Sequence, residues 1–310
     1  MNRATPQMIR SVPLTVPSKP ATGAGRSIGT ILVDSGRLSP PDAQRILDFQ
    51  RERGVRFGDA GIALRLLSDD DVRYALSIQF GYPYLARGST LSRELVAAYQ
   101  PGSRPVEQLR ELRSQLMLRW FDTGADRRGL AIVSAGAGDG RSYIAANLAI
   151  VFSQLGERTL LVDADMRAPR QHHLFNLGRT AGLSDMLAGR AGLEAVVGIE
   201  TLQDLSVLPA GAIPPNPQEL LGRQDFSKLL QSLGEDFSVI IIDTPPASKC
   251  ADAHTVAVRA GAALVVARQD RSSVPQLAQF TNGLRQFGVA LIGSVLNDVK
   301  FAAASTSASS

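Results

Sequence analysis

Cysteine occurs once in 310 residues, at Cys250, so no disulfide can close within the chain and no cysteine cluster can hold a metal. A lone thiol fits a reducing compartment and a packing role. Lysine is nearly as scarce, at Lys19, Lys228, Lys249 and Lys300, which leaves arginine to supply the positive charge. A formal net charge of +4 over this length is too small to point to a nucleic acid polymer. No run reaches the roughly 18 apolar residues that span a bilayer, and the opening MNRATPQMIRSVPLTVPSKP has scattered prolines but no apolar core of the kind a secretory signal needs. Tyrosine is confined to Tyr74, Tyr82, Tyr84, Tyr99 and Tyr143, and FAAASTSASS from Phe301 contains none.

What is present is enough apolar content, 44% of the chain, for more than one core. Residues 1–26 are rich in Pro, Ser, Thr and Gly without periodicity and are expected to be a disordered leader. From Ser27 the chain repeats itself. SIGTILVDSGRLSPPDAQRILDFQ (27–50) aligns with RFGDAGIALRLLSDDDVRYALSIQ (56–79), 24 residues each, with RERGV between. Ser39 and Ser68 stand as N-caps with an acid three residues on, Asp42 and Asp71, so each unit is expected to be a helical pair and the two to pack as a small domain ending near Leu85. Residues 86–104 read as a linker with one short helical turn.

The doubled unit resembles the N-terminal domain of type II secretion and MSHA-type pilus ATPases, where paired motifs of this spacing bind cyclic di-GMP. Arg56, Phe57 and Gly58 match the opening Arg-apolar-Gly, in which an arginine can meet a guanine edge and a glycine can admit a ligand. Arg56 and Gly58 are therefore the candidates for cyclic di-GMP. Ser27 stands at the equivalent place in the first unit, and Arg65 replaces an expected glycine in the second. A plain helical docking module is the competing reading.

The stretch from Gly129, GLAIVSAGAGDGRSYIAANLAIVFSQL, runs from an apolar strand through a glycine-rich turn (Gly136, Gly138, Gly140) into a helix with Ile144, Leu148, Val151, Phe152 and Leu155 on one face. Strand, glycine turn, basic residue, hydroxyl and helix is the layout of a P-loop, in which backbone N–H groups and a helix N-terminus hold a polyphosphate. The strict pattern would need glycine at Ala135 and lysine at Arg141, and arginine exchanges a compact ammonium for a wide planar fork. A dinucleotide fingerprint beginning at Gly136 fails at its third glycine, which is Arg141. Taken alone, the turn fits either a nucleotide loop or an ordinary strand-to-helix connection.

Beyond it, apolar β-branched runs (Leu160–Val162, Leu205–Leu208, Val239–Ile242, Ala263–Ala267, Ala290–Leu296) alternate with helical ones. That pattern predicts a mostly parallel, doubly wound α/β sheet with its site at the carboxyl ends of the strands. Two such ends carry acids: Asp163 and Asp165, followed by Arg167, and Asp243, followed by Thr-Pro-Pro. A strand-end carboxylate of the Asp243 kind suits Mg²⁺, which prefers hard oxygen ligands. Asp163 and Asp165 offer a base or a further metal contact for phosphoryl transfer. The bland alternative is a salt bridge from Asp165 to Arg167 or Arg170.

SAGAGDGRS, LLVDADMRAP, LPAGAIPPNPQELL and VIIIDTPP occur in the order and spacing of bacterial tyrosine kinases, so residues 105–299 resemble that family. The stretch PPNPQELL separates it from related MinD- and ParA-like ATPases. The resemblance implies a P-loop NTPase fold, ATP and Mg²⁺, and autophosphorylation in exopolysaccharide chain-length control beside a membrane-spanning chain-length determinant. Such a chain would be cytoplasmic and peripheral at the inner membrane through that partner. By motif, Gly138, Asp139, Gly140, Arg141, Ser142 and Tyr143 would bind the nucleotide, and Ser142, Asp163 and Asp243 would hold the metal. Asp163, Asp165 and Arg141 would be catalytic, with the choice of base between Asp163 and Asp165 open. Glu107, Arg110 and Arg113 match an E-x-x-R-x-x-R motif linked to ring assembly. Family members usually end in a tyrosine cluster, and its absence here leaves Tyr82, Tyr84 and Tyr99 as candidate acceptors, residues that could equally be packing. It also leaves open an ATPase switch, or a nucleotide-binding adaptor whose N-terminal domain senses a dinucleotide. Residues 300–310 are expected to be a disordered tail.

Overall fold

A computed structural model describes residues 26–79, 85, 89–123 and 128–298. Residues 1–25, Tyr82, Tyr84 and residues 299–310 lie outside the described residues. The chain divides into two compact units, 1–82 and 83–310.

In the first unit the repeat becomes four helices, α1 (Ile28–Asp34), α2 (Pro40–Arg53), α3 (Phe57–Ala63) and α4 (Asp69–Gln79). Both caps form as the serines dictate: Ser39 Oγ accepts from Asp42 N and Ser68 Oγ from Asp71 N, each at 3.2 Å. The repeats exchange partners, α1 packing on α4 and α2 on α3, around Leu32, Ile46, Ala60 and Ala75. Small residues allow this closeness. A Cβ on Gly58 would come within 2.8 Å of Val72, so helix packing alone requires the glycine, which is buried, whereas Arg56 is exposed at the N-cap of α3. The repeat also explains Arg65. Its counterpart Gly36 has φ 68° at the turn into α2, and Arg65 adopts φ 56° at the turn into α4. The left-handed turn is kept although the glycine is not.

The second unit opens with residues expected to be linker. Its short α5 (Val96–Tyr99) lies with Leu95, Ala97 and Ala98 fully buried. Four residues of helix cannot satisfy their own backbone groups, and two buried carboxamides do so, Asn147 in the helix Arg141–Ser153 and Gln154 at its C-cap. Asn147 Oδ1 accepts from Ala97 N at 2.9 Å, Asn147 Nδ2 donates to Glu94 O, and Gln154 Nε2 donates to Ala97 O. Residues 94–97 are thus a strap on the core, a role their polar, Pro-flanked setting concealed. The next helix, α6 (Arg104–Leu116), runs into a π turn at Met117–Phe121 that buries Trp120 and Phe121 and directs Trp120 Nε1 to Gly129 O at 3.0 Å.

The sheet and its helices follow in order: β1 (Gly129–Val133), α7 (Arg141–Ser153), β2 (Thr159–Asp163), α8 (Gln171–Leu174), α9 (Leu183–Leu187), β3 (Val197–Gly198), β4 (Leu205–Leu208), α10 (Pro217–Gly222), α11 (Gln224–Asp236), β5 (Val239–Asp243), α12 (Asp252–Ala260), β6 (Ala262–Arg268), α13 (Val274–Gln286) and β7 (Ala290–Asn297). The strands order as β3-β4-β2-β5-β1-β6-β7, parallel except where β3 meets β4. Leu130 and Ile132 of β1 join α6 and α7 in one core, while Ala131 and Val133 join α11, α12 and α13 in the other. This is the two-sided cover that continuous apolar strands require. Helix α7 is apolar nearly all round because it is covered twice, by the sheet beneath and by α5 and α6 above.

Candidate active site

Strands β1, β2 and β5 are neighbours, so their carboxyl ends deliver the glycine turn and the acids to one place. The turn needs glycine where φ is 78° at Gly138 and 99° at Gly140, the latter capping α7 and leaving the helix's first N–H groups open to an anion. Two outside side chains fasten it: Asn297 Nδ2 donates to Asp139 O at 3.0 Å, and Arg268 Nη1 donates to Gly138 O at 3.1 Å. Asp139 is itself buried and accepts from Gly136 N at 3.0 Å, which closes the loop from within. A groove of about 870 Å³ runs from Gly138, Gly140 and Tyr143 past Asn297 to Gln108 and Leu112 of α6, ample for a nucleoside.

Asp163 and Asp243 end adjacent strands in register, and both are fully buried. Asp163 accepts from the backbone N–H groups of Asp165 at 3.2 Å, Arg170 at 3.0 Å and Gln171 at 2.9 Å. Burial, then the Asp243 charge beside it, still pushes its pKa well above the usual carboxylate range. Asp243 is pushed up to about 6, burial being the main cause, with Ser142, Gln171 and Arg141 opposing it. Asp243 Oδ2 accepts from Gln171 Nε2 at 2.8 Å, whereas Oδ1 is buried with no hydrogen-bond partner. An orphaned carboxylate oxygen beside a hydroxyl and a second carboxylate is a poor place to leave empty of charge, and hard oxygen donors of this kind fit Mg²⁺. Among the described residues no three His, Cys, Asp or Glu converge as a closed cage.

Asp165 is 5% exposed, and its Oδ1 accepts from Arg167 N at 3.2 Å and Ala168 N at 2.9 Å. The alternative of a salt bridge from Asp165 to its neighbouring arginines is not realised. Arg167 makes a two-point contact with buried Asp252, at 2.8 and 3.2 Å, and Arg170 pairs with Glu94 at 2.8 Å. Arg141 departs from the expected role of reaching outward to phosphates. Its Nε donates to Thr244 O at 2.7 Å and its Nη1 to Gly136 O at 2.9 Å and to Ser134 Oγ, and the residue is 7% exposed. A wide fork with several donors finds backbone carbonyls that a lysine ammonium would not span. The Glu107, Arg110, Arg113 triplet is also separated. Glu107 and Arg110 pair at the surface, while Arg113 is buried and donates to Val151 O of α7 at 2.7 Å.

Gln171, Asn297, Arg268 and Asp252 were not singled out from the sequence. Gln171 links Asp163, Asp243 and, through Nε2, Ser142 O at 3.2 Å. Its only sequence signal is a carboxamide one residue from two histidines. His172 and His173 themselves pack ring against ring at a tilt of 40°, centroids 3.9 Å apart.

Residues 128–291 match the AAA domain family. The tyrosine-protein kinase YwqD of Bacillus subtilis is 34% identical over 214 residues, covering 69% of this chain and 90% of that protein. The tyrosine-protein kinase ptk of Acinetobacter johnsonii is 35% identical over 196 residues, of which this chain spans only 26% of the relative's length. Among solved structures, the kinase domain of the Escherichia coli tyrosine kinase ETK superposes with a TM-score of 0.64 at 30% identity, over 69% of this chain and 83% of that one. With the glycine turn, the in-register carboxylates and this extent of likeness to YwqD, the chain belongs to the bacterial tyrosine kinases, P-loop enzymes built on a mostly parallel sheet.

Proposed function

We propose that the chain is an ATP-dependent autokinase that moves the γ-phosphoryl group of ATP to a tyrosine hydroxyl and acts in exopolysaccharide chain-length control with a membrane-spanning determinant. The observation that carries the chemistry is the unpartnered, buried Asp243 Oδ1 at the foot of the P-loop, in register with Asp163. Mg²⁺, held by Ser142 and Asp243 with Asp163 behind them, would supply charge neutralisation at the phosphates. The backbone N–H groups of Gly138 to Ser142 bind the polyphosphate. Asp163 is locked by three backbone donors and orients the loop that follows it. Asp165 is the better base. It is the more accessible of the two, and Oδ1 carries both of its backbone contacts, which leaves Oδ2 to take the tyrosine proton as the phosphorus–oxygen bond to ADP breaks.

Among the described residues no helix is long and apolar enough to cross a membrane, so a membrane partner would supply that attachment, with the chain at the cytoplasmic face of the inner membrane. Assembly into a ring would draw on exposed Glu107 more than on half-buried Arg110 or buried Arg113. Cyclic di-GMP at Arg56 belongs to the same proposal, with Gly58 serving the helix packing beneath it. The alternatives, an ATPase switch or a nucleotide-binding adaptor, are the weaker readings beside the likeness to named tyrosine kinases.

Incubation with γ-labelled ATP separates these: labelled protein supports the kinase, free phosphate alone the switch, and neither the adaptor. In the kinase case Asp165→Asn should abolish labelling while retaining Mg²⁺-dependent ATP binding, and Asp163→Asn should impair both. Labelling undiminished in Asp165→Asn would remove it as the base.

A further inference from the structure

Arg141 fills the place from which a P-loop lysine would reach the outer phosphates, yet its guanidinium is engaged with Thr244 O, Gly136 O and Ser134 Oγ. The site therefore holds three acids, Asp163, Asp165 and Asp243, all nearly or fully buried, without an outward-facing cation from the loop itself. A bound polyphosphate would add further negative charge within a few ångströms of them, where the low dielectric makes repulsion severe.

A second arginine reaches the same loop from the turn after β6. Ser272 N donates to Arg268 O at 3.0 Å and Ser272 Oγ accepts from Arg268 N at 2.8 Å, which closes the turn around Asp270 at φ 58°. Arg268 Nη1 fastens the turn to Gly138 O. Arg271 is thereby laid on Gly138. Its Nη1, Cζ and Nη2 lie 3.0, 3.2 and 3.2 Å from where a Cβ on that glycine would stand, nearly equal distances that put the planar group face-on to the loop. Among the described residues its guanidinium has no hydrogen-bond or ion-pair partner, so its donors are available.

We propose that Arg271 supplies the cation for the outer phosphates of the nucleotide, and that Arg141 is a positioning residue tying the loop to the end of β5. This rests on the ATP-binding reading. Guanidinium is suited to the task because its fork can meet two phosphate oxygens at once.

The test is calorimetric titration of the full chain and its Arg271→Ala and Arg271→Lys variants with ATP and AMP in the presence of Mg²⁺. Arg271→Ala should lose about 10–100-fold in ATP affinity, as expected for a charged hydrogen-bond donor. It should leave AMP affinity and the melting temperature of the nucleotide-free protein unchanged, and Arg271→Lys should recover part of the loss. An unchanged ratio of ATP to AMP affinity in Arg271→Ala overturns the assignment while leaving ATP binding intact. Failure of the parent chain to bind ATP overturns the ATP reading and this inference with it.

Discussion

Replacing Asp243 by asparagine should make the nucleotide-free protein more stable and the site inert. In the folded chain burial pushes the Asp243 carboxyl up to about 6, from 3.8 for an unburied aspartate. A raised carboxyl pKa contributes stability that is present below the unfolded value and is lost as pH rises through the folded one. At pH 8 the ionised group therefore weighs against folding by about 3 kcal/mol, at about 1.4 kcal/mol per pKa unit. At pH 5, where the folded group is mostly protonated, the penalty is about half of that. Asparagine keeps the acceptor for Gln171 Nε2, and its amide donors fall where Oδ1 now has no partner, beside the Asp163 carboxylate.

About 3 kcal/mol in a unit of this size corresponds to a rise of roughly 6–12 °C in melting temperature. Thermal melts of parent and Asp243→Asn at pH 5 and pH 8, with and without MgATP, give the readout. The expected pattern is a gain for the variant that is larger at pH 8, and an upward shift with MgATP in the parent alone. An equal gain at both pH values, or a loss at both, would refute the account of Asp243 as a buried charge awaiting a cation.

Two further substitutions test the local readings. Arg65 holds a left-handed turn that glycine adopts without strain, so Arg65→Gly should stabilise the N-terminal unit by about 1 kcal/mol, visible as a higher denaturant midpoint; a lower midpoint would mean that the side chain contributes more than the turn costs. Arg141→Lys removes the fork that joins Ser134, Gly136 and Thr244, so it should lower the stability of the nucleotide-free second unit by about 1–3 kcal/mol despite keeping the charge; an unchanged melting temperature would remove its positioning role.

Much of the frame is legible in the chain because period and punctuation are local properties. The β5 run Val239–Ile242 reads as a two-sided buried strand, and it is one, with Val239 and Ile241 in one core and Ile240 and Ile242 in the other. The doubled caps at Ser39 and Ser68 likewise need nothing beyond three residues of sequence. The strap at residues 94–97 does need more. Its burial depends on Asn147 and Gln154, some fifty residues later, one carboxamide within α7 and the other at its C-cap. Those two polar interruptions are the only trace of the strap that the sequence carries.

The same distinction decides the active site. That Asp163 and Asp243 would meet follows from strand ends in a parallel sheet, and position in the sequence suffices. Where a long side chain points does not follow from its position. Arg141, Arg113 and Arg167 all sit where a motif would aim them outward or at a near neighbour, and each instead finds a partner 38 to 103 residues away: Val151 O for Arg113, Asp252 for Arg167, Thr244 O for Arg141. Each acceptor is a buried or strand-end oxygen, and a planar fork with several donors is drawn to such oxygens. With arginine in place of lysine at the loop, the charge is conserved but the competition for it changes. A loop carbonyl and a strand-end carbonyl take up its donors, and the turn bearing Arg268 and Arg271 reaches the same loop.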